Sequence, residues 1–383
     1  MEAKLRSSFE AATKDKSVPG IGAVVVNSKG EVLFKTAHDP VEKYVPRISK
    51  IQVLESISKD DGPVLRDPRT KPTIHHLLTH TTGFSYDFFD PLTLQYRMHT
   101  GRKPSGYSNP SEYEDFETPF IADPGTKYVY GVNTDWLGFV IEAITGMKLP
   151  DYIDQNILKP LGMNDTGGIP DRSKPGLIVH FPMNGKLVAV PAAGPTDKPG
   201  VFGGGAFLFS TLEDYSKLLA TLLNKGTSPA TGETILGRET VEKYLFADQL
   251  PAEVDRSQLG EISASIPLAS AEGGFFPSLP TGSRGWSCGL LLNHEDLPFG
   301  RKKGSGAWAG LGNLYYWIDP TSGVAGIIGT GMHPFMHPTV LKLFDQLERV
   351  AYGHEPAGDE TDSRLMNHRV GPPPQSESGK AKM

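Results

Sequence analysis

Two strand–turn–strand patterns, one near each end of the chain, set the tightest limit on how it folds. Residues 20–34 run through Ala23-Val24-Val25-Val26, a polar Asn27-Ser28-Lys29-Gly30 turn and Val32-Leu33-Phe34. Residues 313–329 repeat the form, with Tyr315-Tyr316-Trp317-Ile318, an Asp319-Pro320 turn and Val324-Ala325-Gly326-Ile327-Ile328. β-Branched and aromatic runs flanking such turns are hairpin signals. A helix is expected over residues 4–14. Apolar stripes at helical spacing mark residues 74–80, 134–145, 149–161 and 212–224, the last with Tyr215, Leu218, Leu219 and Leu222 on one face. This order predicts an α+β fold: an antiparallel sheet built from both chain ends, with a mostly helical middle lobe.

A chain of 383 residues with 38% hydrophobic content can bury a large core. One catalytic domain is expected over residues 1–352, with about 60–225 as the helical lobe and a polar, Pro-rich, disordered tail over 353–383. A net charge of −6, from 38 basic against 44 acidic residues, gives no general attraction for nucleic acid or anionic membrane. Neither is expected as a partner. The single cysteine, Cys288, fits a reducing compartment, and residues 1–20 hold no apolar secretion segment. The expected location is intracellular and cytoplasmic, or peroxisomal through the final Ala381-Lys382-Met383, whose small, basic, apolar pattern matches an address read by the peroxisomal import receptor.

The stretch from Asp123 to Trp136 places Tyr130 and Asn133 on either side of Gly131 and Val132, a phenol and a carboxamide beside a glycine read as strained. Three other segments accompany it in order: Ile74-His75-His76-Leu77-Leu78-Thr79-His80-Thr81-Thr82-Gly83-Phe84, then Phe202-Gly203-Gly204-Gly205-Ala206 leading to Asp214, then Gly306-Ala307-Trp308-Ala309-Gly310. Together, over roughly residues 15–350, they resemble the serine β-lactamase-like and penicillin-binding-protein-like family. The Tyr-Gly-x-Asn-x-Asp-Trp string and the absence of a Lys-Thr-Gly motif bring the likeness nearest to its lovastatin-type transesterase branch.

The resemblance implies a β-lactamase/transpeptidase-like fold and a serine acyltransferase or esterase in polyketide-type tailoring. Its substrates would be a small-molecule acyl donor, an ester or thioester, and an acceptor, with no cofactor. Tyr130 is then the general base and Asn133 orients substrate or lysine. Trp308 and Gly310 stand beside the reacting carbonyl, Arg47 is substrate-binding, and His333 and Phe335 contact the acceptor. A phenol loses its proton near pH 10, so this base role needs a lysine ammonium close by. The alternative is a catalytically impaired relative that keeps the pocket and binds a ligand or partner.

The nucleophile has three readings. Arg47-Ile48-Ser49-Lys50 carries the start of the family's nucleophile helix and Ile51 to Glu55 its end, with the middle missing, which makes Ser49 and Lys50 the first candidates. Ser56-Ile57-Ser58-Lys59 satisfies Ser-x-x-Lys literally but lies against a stop signal at Asp60-Asp61-Gly62-Pro63. The third reading is a broken site. His75, His76 and His80 are read as core or capping histidines rather than metal ligands, since no Glu-x-x-His frame accompanies them. The irregular stretches 87–117 and 248–283 are either substrate-facing lids or surface loops.

Overall fold

A computed structural model describes residues 25–26, 32–34, 38–58, 60–105, 112–171, 173, 176, 178–183, 186–190, 200–262, 264–266, 269–270, 273–274 and 283–355. The helix expected over residues 4–14 and the tail beyond residue 355, with Ala381-Lys382-Met383, lie outside the described residues.

Four strand pairs are antiparallel hairpins: β1 (Val25–Val26) with β2 (Val32–Phe34), β3 (Val53–Ser58) with β4 (Gly62–Arg66), β5 (Val179–Met183) with β6 (Lys186–Val190), and β7 (Glu261–Ile262) with β8 (Gly273–Gly274). The main sheet is an antiparallel meander of β9 (Arg284–Trp286), β10 (Leu291–Asn293), β11 (Gly306–Gly310), β12 (Leu314–Asp319) and β13 (Val324–Ile328). The α+β order read from the sequence is the order of the fold. One detail differs: among the described residues β1 pairs only with β2, and the five strands of the main sheet all come from residues 284–328. A two-residue strand with a register shift between Val25 and Val26 offers few hydrogen bonds with which to extend a sheet.

The helices that matter for the site are α1 (Ile74–Leu78), α2 (Pro91–His99), α3 (Asn133–Thr145), α4 (Leu149–Ile153, continuing through a π turn to Leu161), α5 (Leu212–Leu223) and α6 (Pro338–Ala351). Side chains on β12 alternate between two layers, as the period of a strand requires. Tyr315 and Trp317 join Trp286, Leu291, Val340, Leu341 and Phe344 beneath α6, while Ile318 joins Leu219, Leu290 and Leu292 beneath α5. A separate core fills the helical lobe, where Leu77, Phe84, Phe120, Trp136, Phe139 and Val140 meet Val41, Val45, Ile48 and Ile51. Lobe and sheet are tied where the Trp286 indole N–H donates to the Leu78 carbonyl at 3.2 Å.

Residues 38–52 lie on the lobe as a strap rather than as a long buried helix. The Val41 N–H donates to the Pro72 carbonyl and the Ile74 N–H to the Asp39 carbonyl, which holds the strap against the start of α1. Two short 3-10 turns, Val41–Lys43 and Pro46–Lys50, bury Val41, Val45 and Ile48 and leave Ser49 and Lys50 exposed. Past them, the expectation that Ser56 ends a helix is corrected: it sits on β3, exposed, opposite Val64. The β-branched run and the left-handed Gly62, at φ 74°, favour a hairpin turn over a helix stop.

Candidate active site

The Asp123–Asn133 segment is anchored before it reaches the site. Arg66 grips Asp123 through two parallel bonds, Nη1 to Oδ1 at 2.8 Å and Nη2 to Oδ2 at 2.9 Å, and these hold the Asp123 carboxyl below its usual range. The Val129 N–H then donates to the His80 carbonyl and the Tyr128 N–H to that of Asp255. At Gly131 the chain passes so close to Phe84 and Ser85 that a β-carbon would overlap their backbone atoms. Gly131 does not take a left-handed φ, so close approach rather than strain explains this glycine.

These anchors deliver Tyr130 into an aromatic nest. Its ring centroid lies 4.6 Å from His80, 4.7 Å from Trp308 and 5.6 Å from Tyr86. The Trp308 indole N–H on β11 donates to the Tyr130 hydroxyl oxygen at 3.0 Å. Burial pushes the phenol up to about 12, the Trp308 bond opposes that rise, and the nearby Asp135 charge adds to it. Among the described residues no lysine lines the cavity, and the bond from Trp308 does not offset the effect of burial. At neutral pH Tyr130 keeps its proton.

Beside Tyr130 opens a cavity of about 330 Å³, between the lobe core and the core under α6. That volume is at the lower end of the range typical of small-molecule sites. Phe116 and Val132 face it from the lobe, and Trp308, Leu311 and Phe335 from the sheet side. The stretch 87–117 supplies Asp87, Phe88, Phe89, Arg97, Ser105 and Asp115 to its wall. Asp135 enters from the first turn of α3, held by the Gly205 N–H at 2.9 Å and the Tyr86 hydroxyl at 3.3 Å.

Of the residues singled out from sequence, the fold brings Tyr130, Trp308, Gly310 and Phe335 to this one wall. Asn133 lies beneath it, fully buried, its amide 3.0 Å from His80 Nδ1 and its carbonyl oxygen accepting from the Thr82 hydroxyl. With Asn133 donating, His80 carries its proton on the other nitrogen, and burial drives its pKa down to about 3. His333 stacks on Phe181 at 4.8 Å, away from the cavity lining. Thr73 and His76 form a reciprocal cap on α1.

Three further expected site residues are placed elsewhere. The Ser49 hydroxyl donates to the Pro46 carbonyl at 2.8 Å on the outer face of the strap, and Lys50 is exposed beside it. Neighbouring residues on such a turn point apart, and the buried positions are taken by Val45 and Ile48. Arg47 pairs with Glu114 and Glu117 at 2.8 Å each, with its guanidinium 4.6 Å from the Tyr113 ring, and is not part of the cavity lining. Lys59 lies outside the described residues. Tyr86, Asp87, Arg97, Thr118 and Asp135 line the cavity without having been singled out. For Asp135 a signal existed, since it stands in the same string as Tyr130.

A two-lobed α+β fold with a tyrosine and a strand tryptophan at the cleft defines a class, and comparison with known proteins gives it a family. Residues 36–334 match the family profile described as Beta-lactamase, so the chain belongs to the β-lactamase family. It is 27% identical over 331 residues to monacolin J acid methylbutanoyltransferase of Aspergillus terreus, covering 84% of this chain and 76% of that one. To lovastatin esterase of Penicillium rubens it is 28% identical over 298 residues, covering 74% and 69%. The unliganded structure of simvastatin synthase from Aspergillus terreus shares the fold with a TM-score of 0.67 at 24% identity, covering 92% of this chain and 98% of that one.

Proposed function

We propose that this protein transfers or hydrolyses an acyl group of a small-molecule ester or thioester in secondary-metabolite tailoring. The observation that carries it is the Tyr130 hydroxyl, fixed by Trp308 at the edge of an aromatic cavity, in a chain similar along most of its length to an acyltransferase and an esterase. With its proton retained, Tyr130 suits the part of a hydrogen-bond donor to a developing oxyanion or leaving oxygen better than that of a standing base.

A second reading is favoured by a specific observation: the Ser49 hydroxyl is turned to the Pro46 carbonyl on the outer face of the strap, with Lys50 exposed beside it. The cavity's own serines are engaged otherwise, Ser85 with Thr93 at 2.6 Å and Ser105 with Asp87. A relative that binds its ligand without acylation would have this arrangement. Incubation with a fluorophosphonate or an activated acyl ester, followed by intact mass, separates the two. A covalent adduct supports acyl transfer, and peptide mapping then names the serine. A folded protein with no adduct leaves the binding reading.

For the C-terminus, Ala381-Lys382-Met383 is proposed as a peroxisomal address. Identical cellular distribution with and without these residues would refute it.

A further inference from the structure

Asp135 carries a charge that the chemistry at Tyr130 does not explain. It is only 3% exposed, and its polar contacts are the Gly205 N–H and the Tyr86 hydroxyl. Among the described residues no lysine or arginine pairs with it. The guanidinium in the same wall is committed elsewhere. Arg97 Nε lies 3.3 Å from Asp87 Oδ2 and Nη2 3.6 Å from Asp115 Oδ1, and the side chain also donates to the Lys103 and Asp115 carbonyls. Among the described residues, three carboxylates and one guanidinium therefore line the cavity, and the charge on Asp135 is left without a counter-ion. Burial of such a charge is unfavourable unless something brings it a partner.

The surroundings fit one kind of partner. Tyr86 touches Asp135 and lies 5.6 Å, centroid to centroid, from Tyr130, which in turn lies 4.7 Å from Trp308, so the carboxylate opens onto a continuous aromatic wall. The ring faces of tyrosine and tryptophan attract cations. Three glycines keep the loop opposite thin: a β-carbon at Gly203 would overlap Asp135 and crowd the Phe116 ring, and one at Gly205 would come within 2.7 Å of the Tyr86 hydroxyl. Thr118, in the same wall, buries a hydroxyl that has no hydrogen-bond partner.

We propose that the cavity selects a ligand carrying a protonated amine, with the ammonium paired to Asp135 and its alkyl groups against the aromatic wall. In its substrate sense this rests on the acyl-transfer reading, for which it names an amine-bearing donor or acceptor. As a statement about binding it stands without that reading.

Burial pushes the Asp135 carboxyl up to about 6, opposed by its bonds to Gly205 and Tyr86. The phenols of Tyr86 and Tyr130, which face it, are raised by burial and keep their protons through the neutral range. Arg97, Asp87 and Asp115 are the charged groups on the adjoining wall. Amine binding should therefore strengthen between pH 5 and pH 7.5 as Asp135 ionises, whereas a neutral alcohol should show no such trend.

Titration calorimetry on the full chain with 2-phenylethylammonium, 2-phenylethanol and phenylacetate tests this. At pH 7.5 the ammonium should bind at least about tenfold more tightly than the alcohol, and phenylacetate weakest. Asp135→Asn should bring the amine to the affinity of the alcohol and leave the alcohol unchanged. Equal or tighter binding of the alcohol or phenylacetate overturns the proposal, as does no amine binding. If Asp135→Asn does not fold, the pH series on the unaltered protein decides, and a flat amine affinity overturns it. No step here needs acylation, so a protein that forms no adduct yet prefers the amine refutes the acyl-transfer reading alone.

Discussion

The Trp308 indole N–H meets the Tyr130 hydroxyl across 3.0 Å, joining a strand of the main sheet to the loop that leaves the helical lobe. That bond sets the phenol's place and leaves its proton free to point at a ligand.

Tyr130→Phe should therefore lower the acylation rate by about a hundredfold or more, the usual scale for losing a positioned proton donor. Its stability cost should be small, about 1 kcal/mol, for the lost bond to Trp308. Adduct formation followed by intact mass, with urea unfolding as the control, measures both. An unchanged rate would remove Tyr130 from the chemistry.

Ser49→Ala and Lys50→Ala should leave both fold and acylation as they were, within about 0.5 kcal/mol of stability, because both side chains face solvent on the strap. An adduct that disappears in either variant would return the nucleophile to this turn.

At Gly131, substitution by alanine should be severe, since the β-carbon would meet the Phe84 carbonyl and Ser85 Cα, both backbone and both in the packed lobe. A loss of about 3 kcal/mol is expected from such overpacking. A denaturation midpoint within error of the parent would show that the Asp123–Asn133 loop can move away at little cost.

His80 gives the pH dependence a definite sign. Its folded pKa is about 3 against an ordinary 6.5, so between those values the unfolded chain binds more protons. Stability is then full above pH 6.5 and falls on acidification, by up to about 1.4 kcal/mol per pH unit. Asp135 acts in the opposite sense. With its carboxyl raised to about 6 from 3.8, the folded state holds the extra proton in that window, and acidification through pH 6 favours folding. Asp135→Asn should steepen the acid loss between pH 6 and pH 4, as read by urea unfolding. A shallower slope would contradict one of the two assignments.

Much of the site could be read from residue order because its parts sit on regular elements. The Gly306–Gly310 run is β11 with Trp308 facing the cleft, and the Tyr-Gly-x-Asn string runs straight into α3. The conformation of the strap was less legible, for a physical reason. Arg47-Ile48-Ser49 looks like the start of a helix, but Val41, Val45, Ile48 and Ile51 turn inward from short 3-10 turns and leave Ser49 outside. Arg47 shows the same limit, since its partners Glu114 and Glu117 are remote in sequence and nothing local announces them.

By itself the sequence determined the α+β order, the family and the tyrosine in the wall of the cavity, because periodicity and short motifs are local properties of a chain. Only the tertiary structure decided which groups meet that tyrosine and in what charge state. Trp308 comes from 178 positions away, and Gly205, which holds Asp135, from 70. Burial, which keeps the proton on Tyr130, neutralises His80 and leaves Asp135 without a counter-ion, exists only once those distant segments have closed around them.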